Sequence, residues 1–148
     1  MTLEQDILWA PHFDTPTDGY REFRELWLRL AANVHQAGRS VLLVGSGTPD
    51  QFEELDGRRF FSDVFYAALV CSSQRIRERV VSRPLWRKTG SPEFIEAMIT
   101  YNDWLVANAS TNAPPITVFD TTSVEITRTA SEVATWATPL TDLGGTQA

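Results

Sequence analysis

VFYAALVCSSQRIRERVVSRP, residues 64 to 84, contains the change of pattern that decides the fold of this chain. Val64 to Cys71 is an uninterrupted apolar run of strand length, which predicts a buried strand. Ser72 or Ser73 then begins an Arg-rich helix, and Pro84 ends it because proline cannot continue a helix. A buried strand followed directly by a helix is typical of an α/β protein.

The same alternation continues on both sides of this stretch. The predicted elements are, in order, an extended segment (2–8), a helix (18–38), a strand covered on both faces (40–45), a short helix (48–57), the strand and helix quoted above, a helix with the core stripe Phe94, Met98, Tyr101 and Leu105 (91–110), a strand (116–120) and a helix capped by Ser123 (123–137). Strands that alternate with helices predict a mainly parallel sheet with helices on both faces, a three-layer α/β fold. We expect one domain over residues 1–140 and a flexible tail over 141–148.

Composition excludes several classes of function. The chain has 148 residues, 43% of them apolar, but its apolar runs are far shorter than the roughly 20 residues of a membrane span. The N-terminus does not resemble a secretory signal, which favours the cytoplasm. The single Cys71 cannot form an internal disulfide and is expected to pack in a strand. A net charge of −6 opposes general binding of nucleic acid.

Residues 75–88, which we call the lid segment, hold six of the thirteen Lys and Arg residues. On a helix, Arg75, Arg79 and Arg83 lie one turn apart and share a face, whereas Arg77 points elsewhere. One interpretation is a solvated helix surface with cations favoured near its C-terminus. The other is a group of guanidinium forks that face a phosphate. Both remain open from the sequence.

The strand-to-helix junctions are the positions where a parallel sheet binds ligands. Four junctions can be identified, and we expect them to share one sheet edge: Asp6, Gly45–Thr48, Cys71–Ser73 and Asp120–Thr122.

The order of elements, the Arg-rich helix before a proline and the phrase VFDTT before the last helix resemble the P-loop nucleoside and nucleotide kinases, in their small bacterial AAA-type ATP-binding branch. The resemblance covers roughly residues 3 to 138. It implies a catalytic Asp6 that faces the phosphoryl acceptor, and phosphate-binding lid arginines at Arg79, Arg83 and Arg87. It also implies a cradle for the nucleotide base at Asp120, Thr121 and Thr122. ATP and Mg²⁺ are the implied cofactors, and a nucleotide or nucleoside is the implied small-molecule partner.

The phosphate loop of that family is missing from this sequence. No stretch matches G-x-x-x-x-G-K-[ST], and the only lysine is Lys88. Gly45–Thr48 is expected to be an ordinary tight turn that could still lend amides to an anion. The resemblance therefore implies that this sequence lacks the first central strand of the family, which would lie between 41–44 and 64–70. We expect a rearranged sheet, a marginal fold, or a homo-oligomer that pairs the open strand edges.

Two functions follow from these observations. The first is ATP-dependent phosphoryl transfer, with this chain inactive alone because it lacks the Lys and the phosphate cradle. The second is a non-catalytic module that binds a nucleotide or a partner chain through the Arg-rich lid segment. A zinc site at His12 or His35 is not expected, because neither has ligands at suitable spacing. Trp9 and Trp86 could stack on a base, although packing is the commoner role of tryptophan.

Overall fold

The computed structural model describes residues 1–84, 86 and 89–142. Within this range the helices and strands are β1 (Thr2–Glu4), α1 (Arg21–Gln36), β2 (Leu42–Val44), α2 (Pro49–Glu53), β3 (Tyr66–Val70), α3 (Ser73–Val81), α4 (Pro92–Asn108), β4 (Ile116–Asp120) and α5 (Ile126–Asp142). Short 3₁₀ turns lie between some of them, including Gln5–Leu8 and Asp56–Phe60. The described residues divide into two compact units, one formed by residues 1–64 with residues 139–142, and one by residues 65–138.

The first unit is built around α1 and a two-stranded parallel sheet. β1 pairs with β2 in the register Thr2 to Leu42 and Glu4 to Val44. The buried face of α1 is formed by six residues: Phe23, Arg24, Trp27, Leu28, Ala31 and Ala32. Gly38, with φ of 72°, follows the helix as the glycine stop that the sequence predicts.

The second unit contains the apolar strand β3 and the Arg-rich helix α3. β3 pairs with β4 in parallel, from Tyr66 with Ile116 to Val70 with Asp120. α4 covers one face of this pair with Leu105 and Ala109, and it packs against α3 through a second apolar cluster of Ile76, Val80, Ile95 and Ile99. Ser72 and Ser91 cap α3 and α4, because each side-chain hydroxyl accepts a hydrogen bond from a backbone N–H of the first turn.

Three details differ from the sequence predictions. The buried stripe of α4 is centred on Ile95, Ile99 and Leu105, so it lies one position beyond the predicted Phe94 and Met98, which are only half-buried. α5 begins after Glu125, so Ser123 does not cap it. The same helix continues through Pro139, which lies in its last turn, to Asp142, so this proline does not end the helix. The predicted tail beyond residue 142 lies outside the described residues.

The side chains of β2 and β3 are also more exposed than their continuous apolar sequences predict. Val44 is 46% exposed and Leu69 is 60% exposed, so neither β2 nor β3 is covered on both faces. Each strand has only one partner among the described residues, and a two-stranded sheet leaves apolar side chains open unless helices pack on both faces. The two observed pairings are parallel, as expected, whereas the three-layer sheet, the missing central strand and the single domain remain predictions.

Candidate functional site

The carboxyl ends of β3 and β4 lie side by side in the second unit. Because Val70 is paired with Asp120, the segments Cys71–Ser73 and Thr121–Thr122 leave the sheet at the same edge. This pairing brings together two of the four predicted junctions. In the first unit Glu4 is paired with Val44, so Gln5-Asp6 and the loop that begins at Gly45 also leave their sheet at one edge.

Thr122 joins the two segments by hydrogen bonds. Its Oγ1 accepts a bond of 2.9 Å from the backbone N–H of Ser72 and donates one of 2.6 Å to Oδ1 of Asp120. The backbone N–H of Thr122 donates to the same Oδ1 at 2.8 Å. The side-chain bond and then the backbone bond from Thr122 lower the pKa of Asp120, because both stabilise its ionised carboxylate. One oxygen of Asp120 is therefore already engaged within the turn.

Arg79 is fixed against the end of β4. Its Nη1 donates to Oγ1 of Thr121 at 2.9 Å, and its Nη2 donates to the carbonyl oxygen of Thr121 at 2.8 Å. Thr121 is buried, and its hydroxyl donates in turn to the carbonyl of Val70 at 3.0 Å. We call this set of bonds the Arg79–Thr121 clamp. A phosphate could bind the same guanidinium nitrogens only in place of these bonds, so the role of Arg79 as a phosphate ligand remains a prediction.

The remaining lid arginines differ in how their charges are balanced. Arg75 forms an ion pair with Glu78 on its own helix at 3.0 Å, and Arg77 pairs with Glu96 on α4 at 2.7 Å. Arg83 is exposed just beyond the C-terminal residue of α3, and its side chain makes no hydrogen bond or ion pair with any part of the chain that the structure describes. Arg87 lies outside the described residues.

Asp6 lies in the 3₁₀ turn that follows β1, and its carboxylate is exposed. The neighbouring Gln5 is buried and takes up the space beside Gly45. A side chain at Gly45 would collide with Gln5, and one at Gly47 would come within 2.6 Å of the ring of Phe52. The glycines of this loop therefore allow close packing, which agrees with the predicted tight turn.

Two polar residues at the sheet edges were not expected from the sequence. The half-buried Asn102 of α4 accepts a 3.0 Å hydrogen bond from the backbone N–H of Cys71. Arg24 is buried in α1 with its guanidinium near the rings of Tyr20 and Phe52. A polar residue within an apolar helical stripe was the available signal in both cases.

The two tryptophans considered as base platforms differ in their surroundings. Trp9 packs edge-on against Tyr20 and Phe23, with ring centroids 5.8 and 5.2 Å apart, respectively. Trp86 is 74% exposed.

Metal binding was tested against the arrangement of His, Cys, Asp and Glu. Over residues 1–84, 86 and 89–142, no three of these residues are grouped so that they could hold a metal ion. Mg²⁺ that accompanies a nucleotide is held largely by phosphates and water, so such a complex would not need a protein cage. None of the helices in the described ranges is long and apolar enough to cross a membrane.

Comparison of the chain with protein-family models, with curated proteins and with solved structures found no match.

Proposed function

We propose that this chain binds the phosphate groups of a nucleotide, without hydrolysing or transferring them, at Arg83 beyond the C-terminal end of α3. The observation that supports this proposal is the state of the lid arginines. Arg83 is the exposed lid arginine without a side-chain partner among the described residues, whereas Arg75, Arg77 and Arg79 are each engaged.

The Arg79–Thr121 clamp is a reason to place the phosphate near Arg83. The clamp holds α3 against the end of β4, so the helix end that carries Arg83 has a defined position in the second unit. A guanidinium offers a planar fork that matches phosphate and stays charged.

The proposal assigns no catalysis because the sequence contains no G-x-x-x-x-G-K-[ST] stretch. That loop and its lysine supply most of the positioning for phosphoryl transfer in P-loop enzymes. We place the activity in the cytoplasm, where nucleotides are abundant. Phosphoryl transfer is the second candidate, and the exposed carboxylate of Asp6 at the carboxyl end of β1 favours it. In that case Asp6 would orient or deprotonate the acceptor hydroxyl.

The test is titration calorimetry of the protein with Mg-ATP at low and at high salt. We expect binding that weakens with salt, because it rests on exposed charges. Arg83→Ala should weaken it about tenfold, as expected for loss of one charge-assisted contact. The matched control is Arg75→Ala, which removes the same charge from the same helix but from a residue paired with Glu78.

If the wild type and Arg83→Ala bind Mg-ATP with equal affinity, the lid segment is a solvated helix surface and not a phosphate site. Release of inorganic phosphate from ATP, lost in Asp6→Asn, would instead establish the second candidate.

A further inference from the structure

A cavity of about 320 Å³ opens beside α1 in the first unit. One wall is α1, and the other is the 3₁₀ turn Asp56–Phe60. The side chains that matter for its chemistry are Glu25, Arg29, Asn33, Gln36, Arg59 and Phe60. Neither the kinase resemblance nor the proposed nucleotide site uses any of them.

The wall on α1 follows from helical spacing. Glu25, Arg29 and Asn33 are four residues apart and form one row along the helix, next to its buried face. Nδ2 of Asn33 donates to the carbonyl of Arg29 at 2.8 Å, so its Oδ1 is left as an acceptor.

The two walls are held together by Glu25 and Gly57. The backbone N–H of Gly57 donates to Oε2 of Glu25 at 3.0 Å, and Nε of Arg29 donates to Oε1 at 2.9 Å. Gly57 favours this approach, because a Cβ there would lie 3.0 Å from Cβ of Leu28, closer than most Cβ contacts. Burial alone would raise the pKa of Glu25, but the bonds from Gly57 and Arg29 and the positive charge of Arg29 outweigh it, and the pKa is lowered. Glu25 is thus an ionised part of the frame whose charge Arg29 balances.

The other wall carries a guanidinium without an ion pair among the described residues, and a partly exposed aromatic ring over which that guanidinium lies. Arg59 is exposed and makes no ion pair within the described ranges, and its Cζ lies 5.1 Å from the centroid of the Phe60 ring. That ring is 45% exposed. With Glu25 and Arg29 neutralising each other, the lining offers one net positive charge beside an aromatic face, in a protein whose net charge is −6.

We propose that this cavity binds a small planar carboxylate. A single guanidinium fork matches one carboxylate, and the exposed ring of Phe60 provides apolar contact for a flat ligand. The acceptor Oδ1 of Asn33 and the amide of Gln36 would meet a polar substituent on the ligand ring. The volume is at the lower end of the range for small-molecule sites, which limits the ligand to about one ring.

The experiment is a titration of the ¹⁵N-labelled full chain with 4-hydroxybenzoate, followed by amide chemical shifts. We expect saturable shifts up to about 10 mM ligand, the affinity range of a ligand with so few atoms. The shifted amides should fall within residues 25–36 and 57–60. Arg59→Gln should weaken binding about tenfold, and Phe60→Leu, which keeps the charge, should weaken it less. Arg128→Gln in the second unit removes the same charge from a residue paired with Glu132, and it should bind as the wild type does.

Benzamidine, which has the same ring and the opposite charge, should cause no saturable shift. The proposal is overturned if 4-hydroxybenzoate causes no saturable shift in a well-dispersed spectrum, or if Arg59→Gln binds it as the wild type does. Equal binding of inorganic phosphate at the same amides would also overturn it, because the site would then not select a planar ligand.

Discussion

At the scale of single residues, the loop after β2 depends on the absence of a side chain at Gly45. A Cβ there would lie 2.7 Å from Cγ of Gln5 and closer still to its carboxamide. Gln5 is only 3% exposed, so it cannot swing into solvent without disturbing its surroundings. The glycine is therefore required by a neighbour that is distant in sequence.

We expect Gly45→Ala to lower the free energy of unfolding by about 1–3 kcal/mol, the usual cost of overpacking a filled site. Urea denaturation followed by tryptophan fluorescence would measure it. Gly90→Ala is the matched control, because among the described residues no atom beyond its chain neighbours lies within 4 Å of a Cβ at Gly90. Its effect should stay within about 0.5 kcal/mol. Gln5→Ala in the Gly45→Ala background should recover part of the loss. Equal effects of the two glycine substitutions would refute the packing explanation.

At the scale of elements, the Arg79–Thr121 clamp joins α3 to β4. The sequence places Arg79 on the exposed face of a helix, where guanidinium groups usually contribute little to stability. Here the guanidinium bonds to both the hydroxyl and the carbonyl of a buried threonine. The clamp therefore fixes α3, the helix that leads to Arg83, to the carboxyl end of β4.

Thr121→Val keeps the shape of the side chain but removes the hydroxyl that accepts from Arg79 and donates to Val70. We expect a loss of about 1–2 kcal/mol in the free energy of unfolding, because two hydrogen bonds are lost while the carbonyl bond to Arg79 remains. Thr117→Val on β4, the strand that Thr121 follows, is the control, since Thr117 is exposed. If both variants unfold at the same urea concentration as the wild type, the clamp does not stabilise the fold.

At the scale of the whole molecule, the strands leave edges that other chains could pair with. β3 has β4 as its one partner among the described residues, and Leu69 on it is 60% exposed. An exposed apolar edge strand is a known site of self-association, and charged side chains, Lys above all, are a natural means of blocking it. This observation supports the expected homo-oligomer without fixing its geometry.

We predict that the chain self-associates at concentrations on the order of 100 µM, as measured by sedimentation velocity. Leu69→Lys should make the protein monomeric at the same concentration. Val81→Lys should not, because Val81 is an equally exposed apolar residue at the end of α3 instead of on a strand. Monomeric wild-type protein across this range, or the same response from both variants, would contradict pairing through β3.

The sequence alone determined the elements whose signals are local. Apolar periodicity predicted α1, the caps Ser72 and Ser91 with the following residues located the starts of α3 and α4, and the run ITVFD located β4 residue for residue. Local rules succeed here because capping and periodicity depend on residues within one or two turns. Local rules failed at both ends of α5, which begins later than predicted and continues through Pro139. Packing decides where a helix begins and ends when local signals compete, and the local sequence does not contain that information.

Only the tertiary structure decided which arginine of the lid segment is engaged and which is available. Helical spacing predicts that Arg75, Arg79 and Arg83 share one face of the helix. In the structure Arg75 pairs with Glu78, and Arg79 bonds to Thr121, which follows the distant strand β4. Arg83 has no side-chain partner among the described residues. The cavity beside α1 likewise needs Gly57 to approach a helix more than twenty residues earlier in the chain. Such contacts join residues far apart in sequence, and no periodicity or spacing rule encodes them, because they form only when separate elements pack.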